Sequence, residues 1–318
     1  MATYYDIKGQ KVKYLSSDPS NLTEGQVWYN STTNTAKVRG YNTAAFATGG
    51  TYPQTARQVA QATTSATNGL AFAGCNAVPG AGRTTDSSTY NGSSWTATPA
   101  IPAGTTGCGF GIPTAAVLGG DNPGSYDAAY SWNNTTWSTI NPMASYSRTN
   151  SGAFGTQTAG IVVGGEPAGT TTREFDGTSF SAGPATNVSI SGGSSAAGGT
   201  STGACLAGNP STQFEEWTGT AWAASTASPT QNAYGFAAGE DQDNFLAMGS
   251  LPSGSMLWNG SSWSTIAALG TSRGSGAPNS GTSVSSALVV GGFTPGANYN
   301  TTEEWTGAGV ATQTITTS

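Results

Sequence analysis

The chain has 318 residues, of which 46 are glycine and only 8% are charged, with a formal net charge of −6. That much glycine opposes long helices, since each costs up to about 1 kcal/mol relative to alanine in a helix interior, and so acidic a body offers no electrostatic footprint for nucleic acid. Aromatics at 10%, nine of them tryptophan, supply ample large apolar surface, so the composition also excludes a disordered chain.

Charge divides the chain. Residues 1–40 carry five bases against three acids, and the remainder carries five arginines against thirteen acids. The opening run MATYYDIKGQKVKYL lacks the apolar stretch of a secretory signal, and no segment approaches the ~20 apolar residues of a membrane span, so neither export by the general pathway nor membrane insertion is expected. The expected organisation is an anchoring segment over 1–25 and an all-β domain over 26–318. Val27-Trp-Tyr-Asn30, Ala36-Lys-Val-Arg-Gly-Tyr41 and Ala45-Phe-Ala-Thr48 are expected to help build a first sheet within 26–52.

Within that stretch, Gly25-Gln-Val-Trp-Tyr-Asn30 is followed, across a Ser-Thr-Thr turn, by Asn34-Thr-Ala-Lys-Val38. The pattern resembles a short hairpin found in tail-fibre and other virion structural proteins of bacteriophages. The resemblance implies a component of a particle: a fibre, adhesin or decoration subunit, assembled in the host cytoplasm. It would contact other virion proteins through the N-terminal segment and be oligomeric within the assembly.

Downstream, one pattern recurs. Tyr90-Asn-Gly-Ser-Ser-Trp95, Trp132-Asn-Asn-Thr-Thr-Trp137, Phe175-Asp-Gly-Thr-Ser-Phe180, Trp217-Thr-Gly-Thr-Ala-Trp222, Trp258-Asn-Gly-Ser-Ser-Trp263 and Trp305-Thr-Gly-Ala-Gly-Val310 begin 42, 43, 42, 41 and 47 residues apart. A weaker copy, Tyr41-Asn-Thr-Ala-Ala-Phe46, lies 49 residues before Tyr90. Asn-Gly and Asp-Gly tolerate positive φ, so each copy predicts a hairpin between two outer strands.

Each clear hairpin is preceded by a short apolar strand ending in glycine, most fully at Val117-Leu-Gly119-Gly120, Ile161-Val-Val-Gly164-Gly165 and Leu288-Val-Val-Gly291-Gly292. Short continuous apolar runs indicate strands buried on both faces. Before these lie segments rich in Gly, Ala and Ser, such as Asn150-Ser-Gly-Ala-Phe-Gly155. Small residues suit strands that converge on an axis and aromatics suit a wide rim, so the order within each repeat follows a propeller blade from hub to periphery.

Apolar strand, Gly-Gly, variable loop and aromatic hairpin within a period of 41 to 49 residues together resemble the kelch and galactose-oxidase-type repeat. The resemblance covers residues 41–318 and implies a propeller of four-stranded antiparallel blades, seven in number, with six as the other count. Its structural markers are Trp95, Trp137, Phe180, Trp222, Trp263 and the glycine pairs at 119–120, 164–165 and 291–292.

Chemistry is sparse. The chain has no histidine, which removes the commonest general base, the usual transition-metal ligand and the Ser-His-Asp arrangement, so the copper site of galactose oxidase does not carry over. Cys75, Cys108 and Cys205 lack metal-ligand spacing and read as buried reduced thiols. Glu215-Glu216 and Glu303-Glu304, with Glu174, stand just before the repeated aromatic; adjacent strand residues face opposite ways, so scaffold roles are expected rather than a paired acid and base. Glu240-Asp-Gln-Asp243 reads as a solvated acidic loop, with a calcium site as the sharper alternative.

Arg57, Arg148 and Arg273 occupy matching places before innermost strands and could line one mouth of the central channel to hold an anion such as a sulfated or carboxylated sugar, the blander reading being bonds to carbonyls or acids of neighbouring blades. Tyr126, Tyr130, Tyr234 and Tyr299 are candidate exposed aromatics. The expectation is a non-catalytic virion protein without cofactor or metal, used for assembly, decoration or attachment to a host-surface glycan or protein. The alternative is a carbohydrate-binding or glycosidase-like propeller.

Overall fold

The computed structural model describes residues 12–76, 82–120, 128–143, 151–165, 168–190, 195–199, 201–208, 211–230, 234–249, 254–274, 280–281 and 283–315. All regular structure among them is β. The chain divides into two compact units, one of residues 1–45 with 307–318 and the other of residues 46–306.

The larger unit is a β-propeller. Five antiparallel four-stranded blades follow in order: blade I (Ala60–Ser65, Asn68–Phe72, Ser87–Tyr90, Trp95–Ala97), blade II (Cys108–Ile112, Ala115–Gly119, Ala129–Trp132, Trp137–Ile140), blade III (Gly152–Thr156, Ala159–Val163, Thr172–Phe175, Phe180–Gly183), blade IV (Ser195–Gly198, Gly203–Leu206, Phe214–Trp217, Trp222–Ala224) and blade V (Phe236–Gly239, Phe245–Met248, Ser255–Trp258, Trp263–Ile266). Blade VI joins Ser286–Val290 and Thr302–Thr306 to Ala45–Thr48. Its hub strand, Ser280–Gly281, lies between the innermost strands of blades V and I and pairs in parallel with both, closing the ring.

Among the described residues, and setting aside one two-stranded hairpin, the blades and the sheet of the other unit make seven, the number the repeats led to expect, but they are not seven of a kind. Six share the ring, and the seventh belongs to the other unit. The weak copy around Tyr41 explains the arithmetic: its second aromatic, Phe46, lies 4.8 Å from Trp305. It supplies the outer aromatic that the sixth copy, with Val310 in that place, lacks. One hairpin is split between two segments more than 250 residues apart.

Each repeat motif has a mechanical reason. The paired aromatics Tyr90 and Trp95, Trp132 and Trp137, Phe175 and Phe180, Trp217 and Trp222, and Trp258 and Trp263 face one another across four-residue loops. The first loop residue turns the chain with its side chain: Asn91 Oδ1 accepts from the N–H groups of Ser93 and Ser94, Asn133 from Thr135 and Thr136, Asp176 from Thr178 and Ser179, and Asn259 from Ser261 and Ser262. These are side-chain-capped four-residue hairpins, longer than the two-residue turn that Asn-Gly first suggests.

Gly164-Gly165 and Gly291-Gly292 turn the chain out of their strands with both residues at positive φ, whereas at 119–120 only Gly120 does so and Gly119 closes its strand. Gly291 and Gly292 have φ of 62° and 110°, and a Cβ on Gly291 would stand 2.5 Å from the Ala56 carbonyl oxygen. No L side chain fits there without moving backbone.

Blades pack through aromatics. Phe72 of blade I meets Trp137 of blade II, Phe110 meets Phe175, Phe154 meets Trp222, and Phe214 meets Trp263, at centroid distances of 5.0, 6.0, 6.3 and 4.9 Å. In each case a wholly buried phenylalanine of one blade touches a rim-hairpin aromatic of the next.

The smaller unit is a mixed four-stranded sheet in the order Lys13–Leu15, Val27–Asn30, Thr35–Asn42, Gly309–Thr314. The first pair is parallel and the others antiparallel. Sequence reasoning placed the boundary at 25/26; the structure instead groups 27–42 with 309–314, because the strand at 35–42 has no blade partner and pairs along its length with the C-terminal strand.

Asp18 organises this sheet, accepting from Lys37 Nζ at 2.6 Å, Asn30 Nδ2 at 2.8 Å and the indole of buried Trp28 at 2.9 Å. These bonds, Lys37 foremost, lower the Asp18 pKa from 3.8 to about 2. A depressed carboxyl pKa contributes stability that is fully present above 3.8 and lost as pH falls towards about 2. The Trp28 indole N–H resonance is expected to shift across that interval and Asp18→Asn to abolish the transition; an indole signal indifferent to that acidification contradicts the assignment.

Tyr14, Tyr29, Ala36 and Ile315 stand in one row across the sheet, with the two tyrosines stacked at 4.7 Å and the Ile315 N–H donating to the Ala36 carbonyl. Tyr14 is 73% exposed and Ile315 46%.

Candidate functional site

The sequence brings three arginines to equivalent connectors, and the structure separates two of them. Arg273 is fully buried. Its guanidinium is ion-paired to Glu303, while Nε donates to the Gly291 carbonyl at 2.6 Å and Nη1 to that of Thr271 at 3.0 Å. It also stands 5.8 Å from the centre of the Phe236 ring. The channel-mouth anion role expected of Arg273 is therefore corrected: its donors are spent inside the protein. Arg148 lies outside the described residues.

Glu303 is the reason. It stands two residues before the repeated aromatic Trp305, and besides Arg273 it accepts from the N–H groups of Gly270 and Thr271, at 2.6 and 3.2 Å. Glu215 holds the same place in blade IV and accepts from the N–H groups of Asn187 and Val188, at 2.9 and 2.7 Å. Each buried carboxylate ties down the connector that leads into its own blade. Their neighbours face the other way: Glu216 accepts from Ser225 and Glu304 from the Tyr90 hydroxyl. Burial and that bond raise the Tyr90 pKa.

Blade I has Ser88 where blade VI has Glu303, and Arg57 is left without an acid. Its backbone bridges Cys75, with Arg57 N–H donating to the Cys75 carbonyl at 3.0 Å. Its guanidinium stands over the Phe293 ring, 5.4 Å from the centroid. Among the described residues the side chain makes no hydrogen bond or ion pair, and Nε is enclosed without an acceptor.

The chain around Phe293 was not singled out by sequence reasoning. Phe293–Thr294 and Ala297–Asn298 form a small hairpin in the connection that follows Gly291-Gly292. The long 47-residue spacing of the last repeat was the available signal, since the extra residues build this hairpin. Asn298, paired directly opposite Phe293, donates Nδ2 to the Cys75 carbonyl at 3.3 Å and leaves Oδ1 enclosed without a donor.

Tyr234 meets the Phe293 ring edge-on at 5.5 Å, with its own backbone at φ 59°. A non-glycine residue held in that region costs on the order of 1 kcal/mol or more. The Tyr299 hydroxyl lies 3.2 Å from that of Thr294. Of the other candidate tyrosines, Tyr130 is buried and Tyr126 lies outside the described residues. The result is a partly exposed cluster: a guanidinium without a counter-ion among the described residues, aromatic rings, an enclosed carboxamide oxygen without a donor and two hydroxyls.

Elsewhere the titratable groups have structural work. Burial pushes the Cys108 thiol up to about 12 and raises that of Cys205, so neither is a thiolate at neutral pH, and all three cysteines are buried and outside any disulfide. In the acidic loop, Asp241 Oδ1 accepts from the Asp243 N–H and from Asn244, and Glu240 accepts from the Val284 N–H. Among the described residues no group of three or more His, Cys, Asp or Glu is placed to hold a metal ion.

No protein-family profile matches this chain, and no curated protein matches it. Among solved structures 196 chains match, so the fold by itself does not select a function. One is the structure of YjhT, a propeller-type protein, aligned with a TM-score of 0.59 at 16% identity over 83% of this chain and 99% of that one. At that identity what is shared is the β-propeller fold.

Proposed function

We propose that the chain is a bacteriophage virion structural protein of kelch-like architecture, a non-catalytic propeller that the smaller unit docks to neighbouring subunits of the particle. The observation that carries the reading is where the exposed apolar side chains fall. Of the five large hydrophobics exposed among the described residues, Val12, Tyr14, Tyr41 and Ile315 belong to the smaller unit and only Ile112 to the propeller. Contiguous exposed apolar residues mark interaction surfaces. Tyr14 and Ile315 share one row of the sheet whose second strand, Val27–Asn30, belongs to Gly25-Gln-Val-Trp-Tyr-Asn30, the segment that resembles virion hairpins.

Absence of histidine from the sequence and the engagement of Glu215, Glu216, Glu303 and Glu304 as structural acceptors support the non-catalytic part. Mass spectrometry of purified particles is expected to detect the chain at structural-protein abundance. Particles that lack it overturn the proposal. A second reading, a carbohydrate-binding or carbohydrate-active propeller, is favoured by the unpaired Arg57 above Phe293. Turnover of any glycan by the purified protein would overturn the non-catalytic assignment.

A further inference from the structure

We infer that the Arg57–Phe293 cluster binds an acidic polysaccharide through an oxyanion on the sugar, either a carboxylate or a sulfate ester. The inference rests on reading the propeller as the binding part of the protein and adds the class of ligand.

The argument begins with Arg57. A guanidinium has five donors in a rigid fork that fits carboxylate or sulfate oxygens two at a time. In blade VI that fork is consumed by Glu303; in blade I the corresponding residue is Ser88, and the described structure gives Arg57 no acceptor at all. It is nonetheless held in place, by its backbone bridge to Cys75 and by the Phe293 ring. A positioned, partly exposed cation with unused donors is prepared for an anion.

Its surroundings select the carrier. Asn298, directly opposite Phe293, is fixed by the same Cys75 carbonyl that accepts from Arg57 N–H, so the ring under the guanidinium and the backbone that carries it are held together. Tyr234 and Tyr299 are both partly exposed and bring aromatic rings of the kind that pack on sugars. Charge excludes the denser polyanions. Beyond residue 40 the chain carries thirteen acids against five arginines, so a nucleic acid would be repelled along most of its length, whereas a polysaccharide with one acid group per sugar or fewer meets the single unpaired cation.

The test uses the full chain and three immobilised polymers: a polyuronate, a sulfated galactan and neutral dextran. Retention on one or both acidic polymers and not on dextran is expected, and comparing the two separates carboxylate from sulfate. Arg57→Gln is expected to weaken retention about tenfold or more, because a charge-assisted hydrogen bond is lost. Its melting temperature should stay near the parent value, since the Arg57 side chain makes no structural bond.

As a measurement independent of any variant, raising salt to about 0.5 M should release the wild-type protein. Equal retention on dextran, an Arg57→Gln variant that binds like the parent, or salt-indifferent binding would each overturn the inference. Failure here with the chain present in particles refutes the ligand and spares the virion role; acidic-glycan binding by a chain missing from particles does the reverse.

Discussion

Glu303→Ala is expected to destabilise the propeller by about 3–5 kcal/mol, the cost of leaving one member of a buried ion pair uncompensated. Arg273 has no exposed surface, and Glu303 is its only carboxylate among the described residues. Burial already lowers the Arg273 pKa, with Glu303 opposing that shift. The substitution also strips the Gly270 and Thr271 N–H groups of their acceptor, so the whole connector into blade VI loses its anchor.

Urea unfolding compared with the exposed control Glu24→Ala measures the effect. A loss below about 1 kcal/mol would refute the anchoring role, since that is the size of a single exposed ion pair. Removing both members together, as Glu303→Leu with Arg273→Met, is expected to cost less than Glu303→Ala alone, because no buried charge then remains unpaired.

The second large effect concerns the joints between blades. Phe110 is fully buried between blades II and III, and a Cβ placed on Gly160 would stand 2.2 Å from its Cε2. Phe110→Ala is expected to cost about 3–5 kcal/mol through lost burial and the cavity left behind. Gly160→Ala is expected to cost about 1–3 kcal/mol by overpacking, since all three of its nearest contacts are atoms of that one ring.

Combining them should relieve the clash, so the double variant is expected to be more stable than the sum of the two losses predicts. Additive losses in chemical denaturation would mean that the ring and the glycine do not share this space. The same logic explains why Gly109 lies against Phe72 and Gly203 against Phe154. Blades II, III and IV each keep a bare backbone where the preceding blade inserts a ring.

The scaffold was legible because each part of the motif has a local cause. Asn91, Asn133, Asp176 and Asn259 recur because each turns its own hairpin with a side-chain oxygen. The place of the closing strand was not legible: Ala45-Phe-Ala-Thr48 reads as part of a first sheet within 26–52, and only a partner strand more than 250 residues away puts it in blade VI.

For the arginines, position alone made Arg57 and Arg273 look equivalent. What separates them is the residue two before the repeated aromatic, Ser88 in one blade and Glu303 in the other. That difference is written in the sequence, but it becomes meaningful only once the connector is known to pack against its own blade. Phe293 and Asn298 could be placed only by folding, since the hairpin that presents them is closed by backbone pairing.

The split hairpin of blade VI has a mechanical consequence. The chain enters the propeller through Ala45–Thr48 and leaves it through Thr302–Thr306, two strands of one sheet, and on the far side of both crossings Thr35–Asn42 is zipped to Gly309–Thr314. A pull applied through the smaller unit is therefore shared by two adjacent chain crossings and cannot peel the ring open from a single end. The loop of chain that forms the ring is thereby closed by backbone pairing between segments more than 250 residues apart.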